Sequence, residues 1–132
     1  MTQIVIPRGQ LATAHNSAMF TTTSGSFVDV TGMSLSVTTG TRPVQIVVSA
    51  LISNNTANVM TEVILLEDGV QVSGQIASNP VANNWSPISF TCPRNPSAGA
   101  HVYKLQMKTD AASTGSFYGG ATYAADLIVN EV

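Results

Sequence analysis

Charge is what this sequence has least of. Only 9% of its 132 residues are Asp, Glu, Lys or Arg, against roughly 25% in a typical soluble domain. The five basic residues, Arg8, Arg42, Arg94, Lys104 and Lys108, are scattered, and the formal net charge is -2. Binding nucleic acid through its phosphates needs a concentrated basic patch, so nucleic acid is not an expected partner. So weak a net charge gives a small domain little colloidal repulsion, which fits a chain that works inside an assembly.

Cysteine is nearly absent. Cys92 stands alone, so there is no intramolecular disulfide. It falls in phase with Ile88 and Phe90 and reads as a buried small hydrophobe, not a reactive thiol. His15 and His101 are the only histidines. Neither has a second histidine or cysteine at metal-ligand spacing, so both are expected to be polar surface residues. No metal or cofactor is expected. No apolar run approaches membrane-spanning length, and residues 1–10 lack the apolar core of a secretion signal, so no membrane partner is expected.

Catalytic signatures are missing too. No Gly-x-Ser-x-Gly elbow occurs. The glycines sit in turns, without the strand, glycine loop and helix that cradle a phosphate. Asp29, Glu62 and Asp126 fall inside expected strands, and no two are adjacent in sequence. A glycosidase-type pair stays open as a distant alternative, because pairing is spatial. Trp85 reads as a core or interface residue, with stacking on a sugar as the lesser option. A non-enzymatic protein is expected.

What the chain has is β patterning. Ser, Thr, Asn and Gln replace the missing charge and make up roughly a third of the residues; Thr favours strands, Ser and Asn favour turns. Residues 43–72 hold three successive strands. Val44, Ile46, Val48, Ala50 and Ile52 share one side of the first, a period of two. The second, 59–67, is aliphatic. Asp68-Gly69, a dipeptide suited to positive φ, turns into the third, where Gly74 marks a bulge. Met33, Leu35 and Val37 alternate cleanly, as do Tyr103, Leu105 and Met107. Further short strands are expected at 17–23, 27–30, 85–92 and 121–132, with loops at 78–84, 93–99 and 110–120. Eight to ten strands without an amphipathic helix predict an all-β fold, an antiparallel jelly-roll β-sandwich.

Residues 1–16 are read as an extended N-terminal arm and 17–132 as the sandwich. The arm is rich in small residues and broken by Pro7 and Gly9; Ile4, Ile6 and Leu11 are its candidate partner-binding residues. A second set of candidates comes from strands that are apolar on both faces. Val47 and Leu51 lie on the far side of the strand from Val44, and Ile128 and Val132 stand out of phase with Leu127 and Val129. These four residues predict a self-association interface.

The segments FVDVTGMSLSVTTGTRPVQI (27–46), LLEDGVQV (65–72), PSAGAHVYKLQMKT (96–109) and LIVNEV (127–132) resemble small β-sandwich modules of bacteriophage virion proteins. These modules are similar to the trimeric jelly rolls of the C1q and tumour-necrosis-factor type. The resemblance covers about four fifths of the chain and carries structural motifs only. It implies a homotrimeric virion component, made in the host cytoplasm and exposed on the particle surface. Receptor-binding fibres of this kind usually carry a shaft, and this chain has no heptads. The expected role is therefore a capsid decoration or cement protein bound to the major capsid protein. The alternative is a receptor-binding tail fibre or knob using loops 79–85 and 109–120. RNA-phage coat proteins have a similar length, but need C-terminal helices and basic residues that are not here.

Overall fold

A computed structural model describes residues 9–110, 112–120 and 122–132. They form ten strands: β1 (Gln10–Asn16), β2 (Phe20–Thr22), β3 (Val28–Thr39), β4 (Val44–Asn54), β5 (Thr61–Glu67), β6 (Val70–Ala77), β7 (Ser86–Arg94), β8 (Gly99–Thr109), β9 (Gly115–Phe117) and β10 (Ala125–Glu131). No helix occurs among the described residues. The principal antiparallel pairs join the ends of the chain inward: β1 with β10, β3 with β8, β4 with β7, β5 with β6. That is one long hairpin rolled on itself, the jelly roll. One sheet carries β1, β10, β4 and β7, extended by β9 and β2; the other runs β3-β8-β5-β6.

Period-two side chains from both sheets meet between them. Val44, Ile46, Val48 and Ile52 of β4 face Val63 and Leu65 of β5 and Tyr103, Leu105 and Met107 of β8, all almost wholly buried. Cys92 joins this core, as expected; burial pushes its thiol pKa up. Asp68 (φ 49°) and Gly69 (φ 85°) make the β5–β6 turn. At the free edge of β7, Pro87 and Pro93 have no N–H to offer, and the Ser89 amide is taken by Gln75 Oε1 at 3.0 Å. The edge is thereby closed to further strand pairing.

Several expectations need correction. Residues 10–16 are not an arm. They are the first jelly-roll strand, in register with β10 from Asn16 opposite Ala125 to Ala12 opposite Val129, with a bulge between Ala12 and Gln10. Their inward residues, Ala12 and Ala14, pack on the core but are too small to announce a strand. Leu11 lies in this strand, while Ile4 and Ile6 fall outside the described residues. The strands expected at 27–30 and 33–38 are one strand, bulged near Gly32 (φ 86°). Gly74 pairs regularly with Ile64, and the irregularity lies one step further, opposite Leu65 and Leu66. Gly74 is needed for space: a Cβ there would stand 2.9 Å from the Val63 carbonyl oxygen and 3.0 Å from Ile64 Cγ2. The 110–120 loop contains β9, whose Phe117 is fully buried. The last strand starts at Ala125, leaving Tyr123 outside it.

Candidate binding surface

The rolled topology sorts the connections by length. The tight turns, 40–43, 68–69 and 95–98, collect at one end. The long connections, 17–27, 55–60, 78–85 and 110–124, collect at the other. Asn54, at the end of β4, holds the long connections together. Its buried Nδ2 donates toward Thr109 Oγ1 (2.7 Å), Ser113 Oγ (3.0 Å) and Thr61 Oγ1 (3.1 Å), and its Oδ1 accepts from the Thr56 amide at 2.9 Å. Backbone bonds add Asn83 N to Asn54 O, Asn58 N to Asn79 O and Asn55 N to Thr114 O. Gly119 crosses the β1–β2 connection so closely that a Cβ would lie 2.2 Å from the Ala18 carbonyl oxygen.

This end carries exposed apolar side chains: Met19, Met60, Val81, Trp85 and Tyr123. Three aromatics form a chain. Trp85 meets Tyr118 edge-on with ring centres 5.1 Å apart, and Tyr118 meets Tyr123 at 6.0 Å. Such edge-to-face contacts suit the ring quadrupole. Loops 79–85 and 109–120, the candidate recognition loops, thus come together through Trp85 and Tyr118. Beside them, on the outer face of the β4-containing sheet, lies an open groove of about 270 Å³ between Leu51, Pro87, Ser49, Ser89 and Tyr123.

Of the interface candidates, Val47 and Ile128 stand directly opposite one another on that outer face, both half-buried. Leu51 shares the face but sits four residues further along β4, roughly 13 Å away, as the floor of the groove. Val132 is separate. It lies at the short-turn end, 55% exposed, with its amide bound to the Pro43 carbonyl.

Most of the carboxylates are each engaged by their own partner. Asp29 is held by Gln106 and Lys104, which keep its pKa low. Glu62 meets Lys108 at 3.7 Å, Glu131 meets Arg42 at 3.9 Å, and Asp126 pairs with His15. Glu67 accepts two bonds from Arg94 (2.8 and 3.2 Å) and one from the buried Tyr103 hydroxyl (2.7 Å). Arg94 and Tyr103 hold the Glu67 pKa down, while burial and the neighbouring carboxylate push Tyr103 up. Asp68 pairs with His101. That histidine is buried, not on the surface as expected, because its β8 phase is that of Tyr103 and Leu105. Among the described residues no three His, Cys, Asp or Glu side chains cluster as a metal site.

No protein-family model and no curated protein matches this sequence. Solved structures match its fold. Particles derived from infectious bursal disease virus align with a TM-score of 0.54 at 13% identity over 92% of this chain and 35% of theirs. The Gt strain of that virus aligns at 0.52 and 11% identity, over 99% of this chain and 42% of the other. The insecticidal delta-endotoxin Cry8Ea1 of Bacillus thuringiensis aligns at 0.51 and 11%, over 86% and 19%. The chain therefore spans well under half the length of these proteins. It is an all-β jelly-roll sandwich of the kind found in virus capsid and toxin domains, and two such different owners separate the fold from any one function.

Proposed function

We propose that this chain is a non-enzymatic structural protein of a bacteriophage particle, a capsid decoration protein that sits on the virion surface and stabilises the major capsid lattice. The observation that carries the reading is the half-exposed apolar pair Val47 and Ile128 at the middle of a sheet face, in a sandwich shared with virus capsid structures. A wet sheet face normally alternates to polar residues; here a second copy or the capsid protein supplies the cover. The non-enzymatic part rests on the acids and imidazoles, most of which are committed to structural partners. Each described Lys and Arg likewise has a carboxylate within 4 Å, so no cluster of unpaired cations stands among the described residues.

The aromatic end of the molecule favours a second reading, a receptor-binding tail knob. Copy number separates the two. In purified virions a decoration protein stands in fixed, near-stoichiometric ratio to the major capsid protein, and particles lacking it lose heat resistance. A trace ratio with unchanged heat resistance and lost adsorption assigns the tail instead. Absence from virions refutes both.

A further inference from the structure

We propose that the groove beside Tyr123 is a binding site for one neutral six-membered sugar ring. The volume sets the size of the ligand. About 270 Å³ is just below the roughly 300–1,000 Å³ of drug-sized pockets, so the groove admits a single ring with its ends open to solvent. Its walls set the chemistry. Leu51, Pro87 and Tyr123 present apolar surface, and Tyr123 is 63% exposed, an expense for a phenol ring unless something covers it. A pyranose has the matching form: one face of C–H groups, with hydroxyls around its rim.

The polar rim is placed for those hydroxyls. Ser49 and Ser89 are register partners across β4 and β7, with Ser49 also opposite Asp126 of β10 and Asp126 opposite His15 of β1. Ser49 and Ser89 line the groove beside the apolar wall, and their row continues away from it through Asp126 to His15 on the outer face. Serine hydroxyls both donate and accept, as sugar hydroxyls require. The groove's lining holds these hydroxyls and no cation for an anionic ligand, and the nearby Asp126 is bonded to His15. Tyr123 is itself supported: Tyr118 holds its edge and Trp85 holds Tyr118, which limits the rotamer entropy lost on binding. The Ser49 row lies next to the Val47 and Ile128 row on the same face but shares no residue with it, and failure of sugar binding would leave the virion reading intact.

The test uses the whole chain and the methyl glycosides of glucose, galactose, mannose and N-acetylglucosamine as probes, titrated by two-dimensional NMR. The expected result is saturable shifts at Ser49, Leu51 and Ser89 from at least one probe, with a Kd of about 1 mM, a small ligand's affinity. Tyr123→Ala weakens that binding by about tenfold. Ser89→Tyr, which fills the groove from a rigid strand, abolishes it and serves as the second variant should the loop rearrange. Glucuronic acid, the same ring bearing a carboxylate, binds more weakly than glucose. The proposal is overturned if none of the probes shifts the groove residues, if both variants bind as the parent does, or if the acid binds better.

Discussion

His101 and Asp68 form a pair that only an imidazolium completes. Asp68 Oδ2 lies 2.6 Å from Nδ1, and the Ser97 carbonyl lies 2.6 Å from Nε2. Both ring nitrogens therefore face acceptors, so each must carry a proton. The Asp68 bond, then the Ser97 bond, raise the His101 pKa above 6.5, and the His101 bond lowers that of Asp68. The second Asp68 oxygen accepts from the Val102 amide at 2.8 Å, so the β5–β6 turn is tied to β8.

The sign of the pH dependence follows. A raised histidine pKa gives stability that is complete below the unfolded value and is lost as pH rises through the folded one. A lowered carboxylate pKa gives stability that is lost as pH falls through the folded value. Unfolding midpoints should thus decline as pH rises from about 6 to 9, and His101→Gln should flatten that slope. A wild-type profile that is level over this range would refute the assignment.

Tyr103→Phe removes the buried hydroxyl that donates to Glu67 and leaves the Arg94 pair in place. Hydrogen bonds to charged groups contribute about 1.5–3 kcal/mol, so denaturant unfolding should show a loss of that size. Arg94→Met should cost more at neutral pH, because it leaves Glu67, whose side chain is 13% exposed, without its cation.

Asn54→Ala tests whether one side chain organises the long-connection end. It leaves the hydroxyls of Thr61 and Thr109 short of a donor inside the protein, while Ser113 keeps the Thr109 hydroxyl, a loss of about 1–3 kcal/mol. Amide exchange should quicken in 55–60 and 112–118 while Tyr103 to Met107 of β8 stays protected. Equal acceleration in both regions would make Asn54 an ordinary core residue.

Removing residues 1–16 should abolish cooperative unfolding. The truncation strips β1 from β10 and opens the edge beneath Leu127 and Val129, which are fully buried in the intact chain. A truncated protein that still melts in one sharp transition would return this segment to the status of a detachable arm.

The alternating strands β4 and β8, the aliphatic β5, the Asp68-Gly69 turn into β6, and β7 and β10 are all legible in the sequence, and β3 is legible as two pieces that its bulge near Gly32 joins. β1 escaped because Ala12 and Ala14 bury too little to set a period. β9 escaped because three residues carry no period at all. His101 was readable in principle: it continues the inward phase of Tyr103, Leu105 and Met107, and a histidine on that phase needs buried partners. The groove was not readable. Leu51, Pro87 and Tyr123 come from three separate elements, and only the rolled topology sets them side by side. Loops 79–85 and 109–120 read from the sequence as exposed, and their meeting through Trp85 and Tyr118 is a property of the fold.

The apolar pair at the centre of the sheet face gives the last prediction. Val47 and Ile128 are half-buried already, so covering them yields less than the about 1.5–3 kcal/mol of a fully buried aliphatic side chain. Two such residues per subunit lie at or below the bottom of the roughly 4–15 kcal/mol that association costs. The neighbours on the same row, Thr13 opposite Ile128 and Thr91 opposite Val47, add methyl groups but no charge. Self-association should therefore be weak and concentration-dependent, with a trimer as the state that the phage-module resemblance implies. Light scattering across a dilution series should show mass above the 13.8 kDa of one chain at the highest concentrations. Ile128→Asp places a carboxylate beside Asp126 and Val47, and should leave a folded β monomer throughout the series. A wild-type chain that stays monomeric at every concentration removes the second copy as the cover and leaves the capsid protein in that place. Virions assembled with the Ile128→Asp chain would then fail to retain it.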